Sequence, residues 1–398
     1  MRLLKFFGVF LATAIVIFGF VLGWNWKSFS VFLDNREALM EGNEWVPYTS
    51  SLRGLSEFMG QNPDVSSVAS IVVTHPDSSL FFQEHSPRAM GATSKFLILA
   101  AYAVKMDNGH YTGNELIEWN EVSRYQLPDV EASAHRESYR TAQNRSWIDG
   151  NTITLDRALR LLTEYNDLAL TDYLWWNLDV EIWDELPELL GLELTEMPLP
   201  FSGLYLAISP GIQEMSFSEI MEQWADAELS EWREHVISLS YNYLNDEETR
   251  VQTDRFLNRH RLGNTFMEER DALALFPKTT AHEMTNLLKR IMNQDLVNEQ
   301  ISGTIKDWMR WPLETQAGIR QNFSDYGAIY DNRMGLMNGI DFGTSEYTGD
   351  TTVQAFFLDQ LPVGFWFHAS GGHMHQDFMQ RLIYDPAMIE QMKRVVER

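Results

Sequence analysis

The stretch Arg88-Ala-Met-Gly-Ala-Thr-Ser-Lys-Phe-Leu-Ile-Leu-Ala-Ala-Tyr-Ala-Val-Lys105 constrains the fold more than any other. It begins small and flexible at Met90-Gly-Ala-Thr93 and becomes strongly apolar from Phe96 onward. Two short strand-like runs precede it, Ile71-Val-Val-Thr74 and Leu80-Phe-Phe82. Together they predict strands, a turn, and then a helix buried in a domain core. Covering such a helix needs a sizeable chain, and 398 residues with 44% apolar content, 13 Trp and 23 Phe are enough for one large domain or two modest ones.

At this point the chain resembles the penicillin-binding protein and class A β-lactamase superfamily, especially the serine-hydrolase branch with Pro-Leu-Gly-Ser-Thr-x-Lys at the start of its central helix. In that motif Ser and Lys sit three apart on one face of the first helical turn, so the amine can take the hydroxyl proton. This chain keeps the Lys as Lys95 but has Ala92 at the Ser position. Alanine carries no hydroxyl, so no acyl-enzyme forms there. Ser94 lies two residues on, a rotation of roughly 200° about a helix axis, and is expected to face away from the site.

Further pieces follow in order. Ile117-Glu-Trp-Asn-Glu-Val-Ser-Arg-Tyr-Gln-Leu-Pro128 and Ala134-His135 resemble the branch's Trp-Glu-Arg-Tyr-Tyr-Leu-Pro and Gly-Ala-His, with Val130-Glu-Ala-Ser133 replacing Thr-Asp-Gly-Gly. The resemblance implies that His135 lines the site; as a lone loop histidine it reads as structural. Thr154 can cap a helix carrying Leu155, Leu159 and Leu162 at helical spacing. That helix leads to the place of Tyr-Ser-x-Asn-x-x-Thr-Asp-Tyr-Leu. Anchored on Thr171-Asp-Tyr-Leu174, Tyr165 is retained, the proton-relaying Ser becomes Asn166, and the substrate-orienting Asn becomes Leu168. Around Met197-Pro-Leu-Pro-Phe-Ser-Gly203 no Glu-x-x-Leu-Asn occurs, so the water-activating glutamate of class A β-lactamases has no counterpart. Ser216 to Arg261 reads as a charged helical region with Trp224, Trp232 and Val236 as its buried stripe.

For the third motif, Lys278-Thr-Thr280 is a decoy, because Thr280-Ala-His-Glu283 reads as a capping box opening a helix. Tyr326-Gly-Ala-Ile329 and Arg333-Met-Gly-Leu-Met-Asn-Gly-Ile340 instead resemble the strand Phe-Gly-x-Lys-Gly-Gly-Ser-Leu-Pro-Gly-Val. Arg333 takes the Lys position and Gly335 is retained, both implied to contact substrate; Arg keeps the charge but not the point-like ammonium. Thr352 to Leu358 reads as a strand, Gly364-Phe-Trp-Phe-His368 as its continuation or neighbour, and Gln376 to Val396 as a C-terminal helix. His368, His373 and His375 are close in sequence. No carboxylate is fixed nearby by spacing, so no metal and no cofactor is expected.

The first 26 residues read as a membrane anchor or signal. Phe6 to Gly23 is apolar apart from Thr13, with Arg2 and Lys5 before it and Trp24 and Trp26 after it. That length reaches the lower edge of a spanning helix, and Gly-Trp-Asn-Trp offers no small-residue cleavage site, which favours an uncleaved anchor. Basic residues on the N-terminal side place the rest outside the cytoplasm. The absence of cysteine excludes thiol nucleophiles and disulfides, and the net charge of −25 excludes a nucleic-acid partner.

The expected fold is therefore α/β (α+β) of the β-lactamase type. Its mainly antiparallel five-stranded sheet combines two N-terminal and three C-terminal strands, flanked by helices. Residues 27–64 form a tether and lead-in helix, 65–398 the domain, and roughly 90–320 a helical subdomain. The resemblance places a cleft with Ala92 and Lys95 on its floor, Tyr165 to Leu168 on one wall and Arg333 to Gly335 on the other. Function divides into a binding pseudoenzyme for a small-molecule, peptide or ester ligand, and an active acyl hydrolase whose Ser is replaced by Ala92 in this chain. A third class would use His135 or the His368 to His375 cluster without a serine.

Overall fold

The structure is a computed structural model that describes Leu33 and residues 35–396. The expected anchor at residues 6–23 lies outside the described residues, and among those described no helix is long and apolar enough to cross a membrane.

Five strands make the main sheet: β1 (Ser66–Val72), β2 (Leu80–Phe82), β3 (Phe323–Arg333), β4 (Leu336–Ser345) and β5 (Thr351–Leu358). They pair antiparallel throughout in the order β2-β1-β5-β4-β3, so the N-terminal pair joins the C-terminal three. Side chains alternate across each strand. Ala69, Ile71, Ile340, Val353, Ala355 and Phe357 point to one core. Val68, Met337, Phe356 and Leu358 point to the other. With both faces covered, β4 and β5 are buried almost throughout, including the polar Asn338, Asp341 and Gln354.

Helix α1 (Leu52–Gln61) buries Leu55, Phe58 and Met59 in the second core, against the C-terminal helices. The lead-in is thus packed into the domain. The first core encloses α2 (Lys95–Asp107), in which every residue from Lys95 to Val104 is buried. A 3-10 turn, Gly91–Ser94, precedes α2, and Gly91 is required there: φ is +53° and a Cβ would meet the Asp331 carboxylate. A third core holds the helical region together, with Phe201, Trp232, Val236 and Leu257 among its members.

Four local expectations need correction. Val363–Gly371 is a helix, not a strand; Pro362 starts it, and it packs on the chain around residues 38–50. A short apolar run cannot distinguish a buried strand from a buried helix. The C-terminal helix is two, Met374–Tyr384 and Pro386–Val396, because Pro386 lacks the N–H that would continue the first. The charged region is three helices, Phe217–Ala225, Leu229–Asn245 and Glu247–His260. Thr154 precedes its helix without a side-chain capping bond.

Candidate functional site

Lys95 opens α2 directly after the 3-10 turn and is 1% exposed. Its Nζ donates to the carbonyl of Tyr165 at 3.0 Å and to Asn166 Oδ1 at 2.9 Å. Those acceptors sit between α5 (Leu155–Glu164) and α6 (Leu168–Trp176), where the chain is extended. Burial pulls the amine's pKa down to about 7, against the opposing field of Asp331 and together with that of Arg333. Because the folded pKa lies below the unfolded one, the unfolded chain binds the extra proton between about 7 and 10.5, and stability rises with pH across that window. Wild type is expected to gain stability relative to Lys95→Met between pH 7 and pH 9. Urea midpoints for the two chains at several pH values measure the gain, and parallel pH curves would refute the burial.

The centre of the arrangement is Asp331, near the end of β3. Its carboxylate accepts the Ala92 N–H at 2.6 Å, Asn166 Nδ2 at 3.0 Å, and Arg333 Nε and Nη2 at 2.6 and 3.2 Å. A carboxylate at the start of a helical turn also meets the positive end of the peptide dipoles. Arg333 continues the chain of contacts to the Tyr205 hydroxyl at 2.9 Å and lies 4.8 Å from the centre of the Phe201 ring. Burial alone would lower the guanidinium's pKa; Asp331 more than offsets it and holds the value above the ordinary one. Asp331 is 1% exposed and Arg333 6%. The floor and both walls of the expected cleft are joined by the chain's own side chains, which compensate one another's charge away from water.

The remaining expected residues fall into different places. The Tyr165 ring turns away, its hydroxyl bonded to Thr141 Oγ1 at 2.6 Å. Leu168 packs in the helical core, and Gly335 serves the β3–β4 turn at φ +72°, where a Cβ would meet Arg270. Ser94 is buried beside Phe201, Leu204 and Phe276, on the apolar side of the turn. His135 is not in a loop: it lies in the first turn of α4 (Ala132–Asn144), bonded to Asp167. Of the C-terminal histidines, His368 and His373 are exposed, while His375 is fully buried with its ring edge-on to Tyr330. Burial lowers the His375 pKa to about 3 and keeps it neutral.

Sequence reasoning missed Asp331, Tyr205 and Asp172. The last accepts the N–H groups of Phe201 and Ser202 at 2.7 Å each and so caps α7 (Phe201–Ala207). Burial raises its pKa to about 7 despite those bonds. Asp331 and Tyr205 carry no local pattern, and Asp172, although it belongs to the Thr171-Asp-Tyr-Leu174 run, takes its capping role from a segment that the run does not point to.

No protein-family model matches the chain, and no curated protein matches it. Solved structures are similar at low identity. A β-lactamase from Sphaerobacter thermophilus is 11% identical, with 83% of this chain and 95% of that one covered at a TM-score of 0.48. A β-lactamase from Chitinophaga pinensis is 13% identical, with 84% and 99% covered, also at 0.48. A class A β-lactamase from Mycobacterium abscessus is 11% identical, with 81% and 99% covered at 0.46. Likenesses of this size add nothing to what sheet order and site geometry establish. The β2-β1-β5-β4-β3 sheet, the buried central helix and Lys95 facing the residue-166 segment make a β-lactamase-like α/β fold, with other side chains at the expected motif positions.

Proposed function

We propose that this chain is a membrane-tethered, extracytoplasmic member of the β-lactamase-like hydrolases that makes no acyl-enzyme at the Ala92 position and binds its ligand without covalent chemistry. The observation that carries the reading is the Asp331 carboxylate on the Ala92 amide, with Arg333 and Asn166 turned onto the same carboxylate. Attack needs a nucleophile, a base and a free place for the substrate carbonyl. Here the nucleophile position is a methyl group and the amide beside it already holds an anion. The ligand the resemblance implies is a small molecule, a peptide or an ester, and its entry here requires the buried Asp331 and Arg333 side chains to part. The apolar run from Phe6 to Gly23 supports the tether.

The test is covalent labelling with a fluorescent penicillin, using the full chain in detergent. No label on the segment carrying Ala92 is expected, because Ala92 offers no oxygen. Stoichiometric acylation mapped to Ser94, two residues from Ala92, would overturn the reading.

A further inference from the structure

Beside the closed site stands a second arrangement of side chains whose chemistry the first does not use. Ser123 ends the short helix α3 (Trp119–Ser123), His135 lies in the first turn of α4, and Asp167 caps α6. Ser123 Oγ is 2.9 Å from His135 Nε2, and His135 Nδ1 is 3.0 Å from each oxygen of Asp167. We propose that Ser123, His135 and Asp167 form a hydrolytic centre for carboxylic esters, independent of the Ala92 position and of the reading given for it.

Each member is held as its role requires. Asp167 is fully buried, and its Oδ1 is oriented by the Leu170 N–H at 3.0 Å, so the carboxylate cannot swing away from the imidazole. Trp119 stacks on the His135 ring at 5.3 Å and 13°, fixing the plane in which both nitrogens point. With Nδ1–H directed at Asp167, Nε2 is the acceptor, the tautomer a general base needs. Ser123, by contrast, is exposed. The arrangement thus runs from a buried carboxylate to a residue at the surface whose hydroxyl bonds are part-buried. The Ser123 proton has two acceptors, the Trp119 carbonyl at 3.0 Å and His135 Nε2, and attack uses the second.

The reaction balances with water as the only co-reactant. Ser123 Oγ bonds to the ester carbonyl carbon while its proton passes to His135 Nε2. Collapse of the tetrahedral intermediate breaks the ester C–O bond, and the proton moves from Nε2 to the departing alkoxide. Water then adds to the acyl-serine, gives a proton to Nε2, and the acid leaves as Ser123 recovers its own.

The full chain in detergent is treated with a fluorophosphonate probe, and the labelled peptide is mapped by mass spectrometry. Label on Ser123 is expected, lost in Ser123→Ala and slowed roughly 10²-fold or more in His135→Gln at unchanged circular dichroism. Because the chain has no cysteine, Ser123→Cys introduces a unique thiol. Iodoacetamide should alkylate it about tenfold faster than in Ser123→Cys/His135→Gln, as a neighbouring imidazole raises the thiolate fraction. If the double variant loses its native circular dichroism, Ser123→Cys in urea is the reference. An unlabelled Ser123, or equal alkylation rates, overturns the proposal. Acylation at Ser94 would instead overturn the reading of the Ala92 site.

Discussion

Asp331→Ala is expected to lower the unfolding free energy by roughly 3–5 kcal/mol, the usual cost of removing one partner from a buried ion pair. The substitution strips the acceptor from the Ala92 amide, the Asn166 amide and two nitrogens of Arg333 at once. The guanidinium then stays buried with the Tyr205 hydroxyl, the Phe201 ring and the field of the Glu131 carboxylate in place of its direct ion pair. Adding Arg333→Met should recover a large part of the loss, because the uncompensated charge goes with it. Urea unfolding of wild type, both single variants and the double variant closes the cycle. A loss below about 1 kcal/mol for Asp331→Ala would mean the pair behaves as an exposed one.

Ala92→Ser is expected to give at most slow acylation, without turnover. Lys95 is close enough in sequence and turn to act as base, and proximity alone contributes several kcal/mol to such a step. The rest of the machinery stays absent. Asn166 stands where the proton relay would be, and its amide is committed to Lys95 and Asp331. Leu168 faces an apolar core, and the Ala92 N–H, a donor an oxyanion would need, is occupied by Asp331. Losses of roughly 10²–10⁴-fold for each missing group are typical. Steady-state hydrolysis of a chromogenic cephalosporin and of a simple ester distinguishes the outcomes. Rapid multiple turnover would show that the nucleophile alone was missing, and that Ala92 replaces a serine in an otherwise competent enzyme. Ser123→Ala serves as the background for the ester assay, so that any activity of that serine is excluded.

The parts of the fold that could be read in the sequence are those fixed by local pattern. The buried α2 follows from its unbroken apolar run, and the sheet's division into two early and three late strands follows from the order of the resembling segments. The pairing of Lys95 with the segment at Tyr165 and Asn166 was legible in the same way. What stayed hidden depends on distant contacts. Asp331 is an ordinary acidic residue in Asp331-Asn-Arg333 until β3 is laid beside the Gly91–Ser94 turn. His135 looked like a loop residue because the αL Glu131 that precedes α4 carries no glycine or capping side chain to announce a helix start. Val363–Gly371 was ambiguous because its short apolar run includes the exposed Phe367 beside the buried Val363 and Phe365, so hydropathy does not follow burial at either period.

The order of the sheet bears on how the chain can be made. Strand β1 is completed only by β5, with Val68 opposite Phe356 and Ala69 opposite Ala355. During synthesis β1 and β2 emerge early as a lone two-stranded ribbon, a unit that is marginal in water by itself. Its open edge, with Val68, Ala69 and Ile71 destined for the interior, waits for a partner encoded almost at the other end of the chain. Closing so long a loop is slow, and an unpaired apolar edge is a template for pairing with neighbouring chains. Newly made copies are thus most exposed to aggregation in the interval before β5 arrives, and a holdase that covers an extended apolar strand would raise the yield of folded protein more than one that acts on the finished domain.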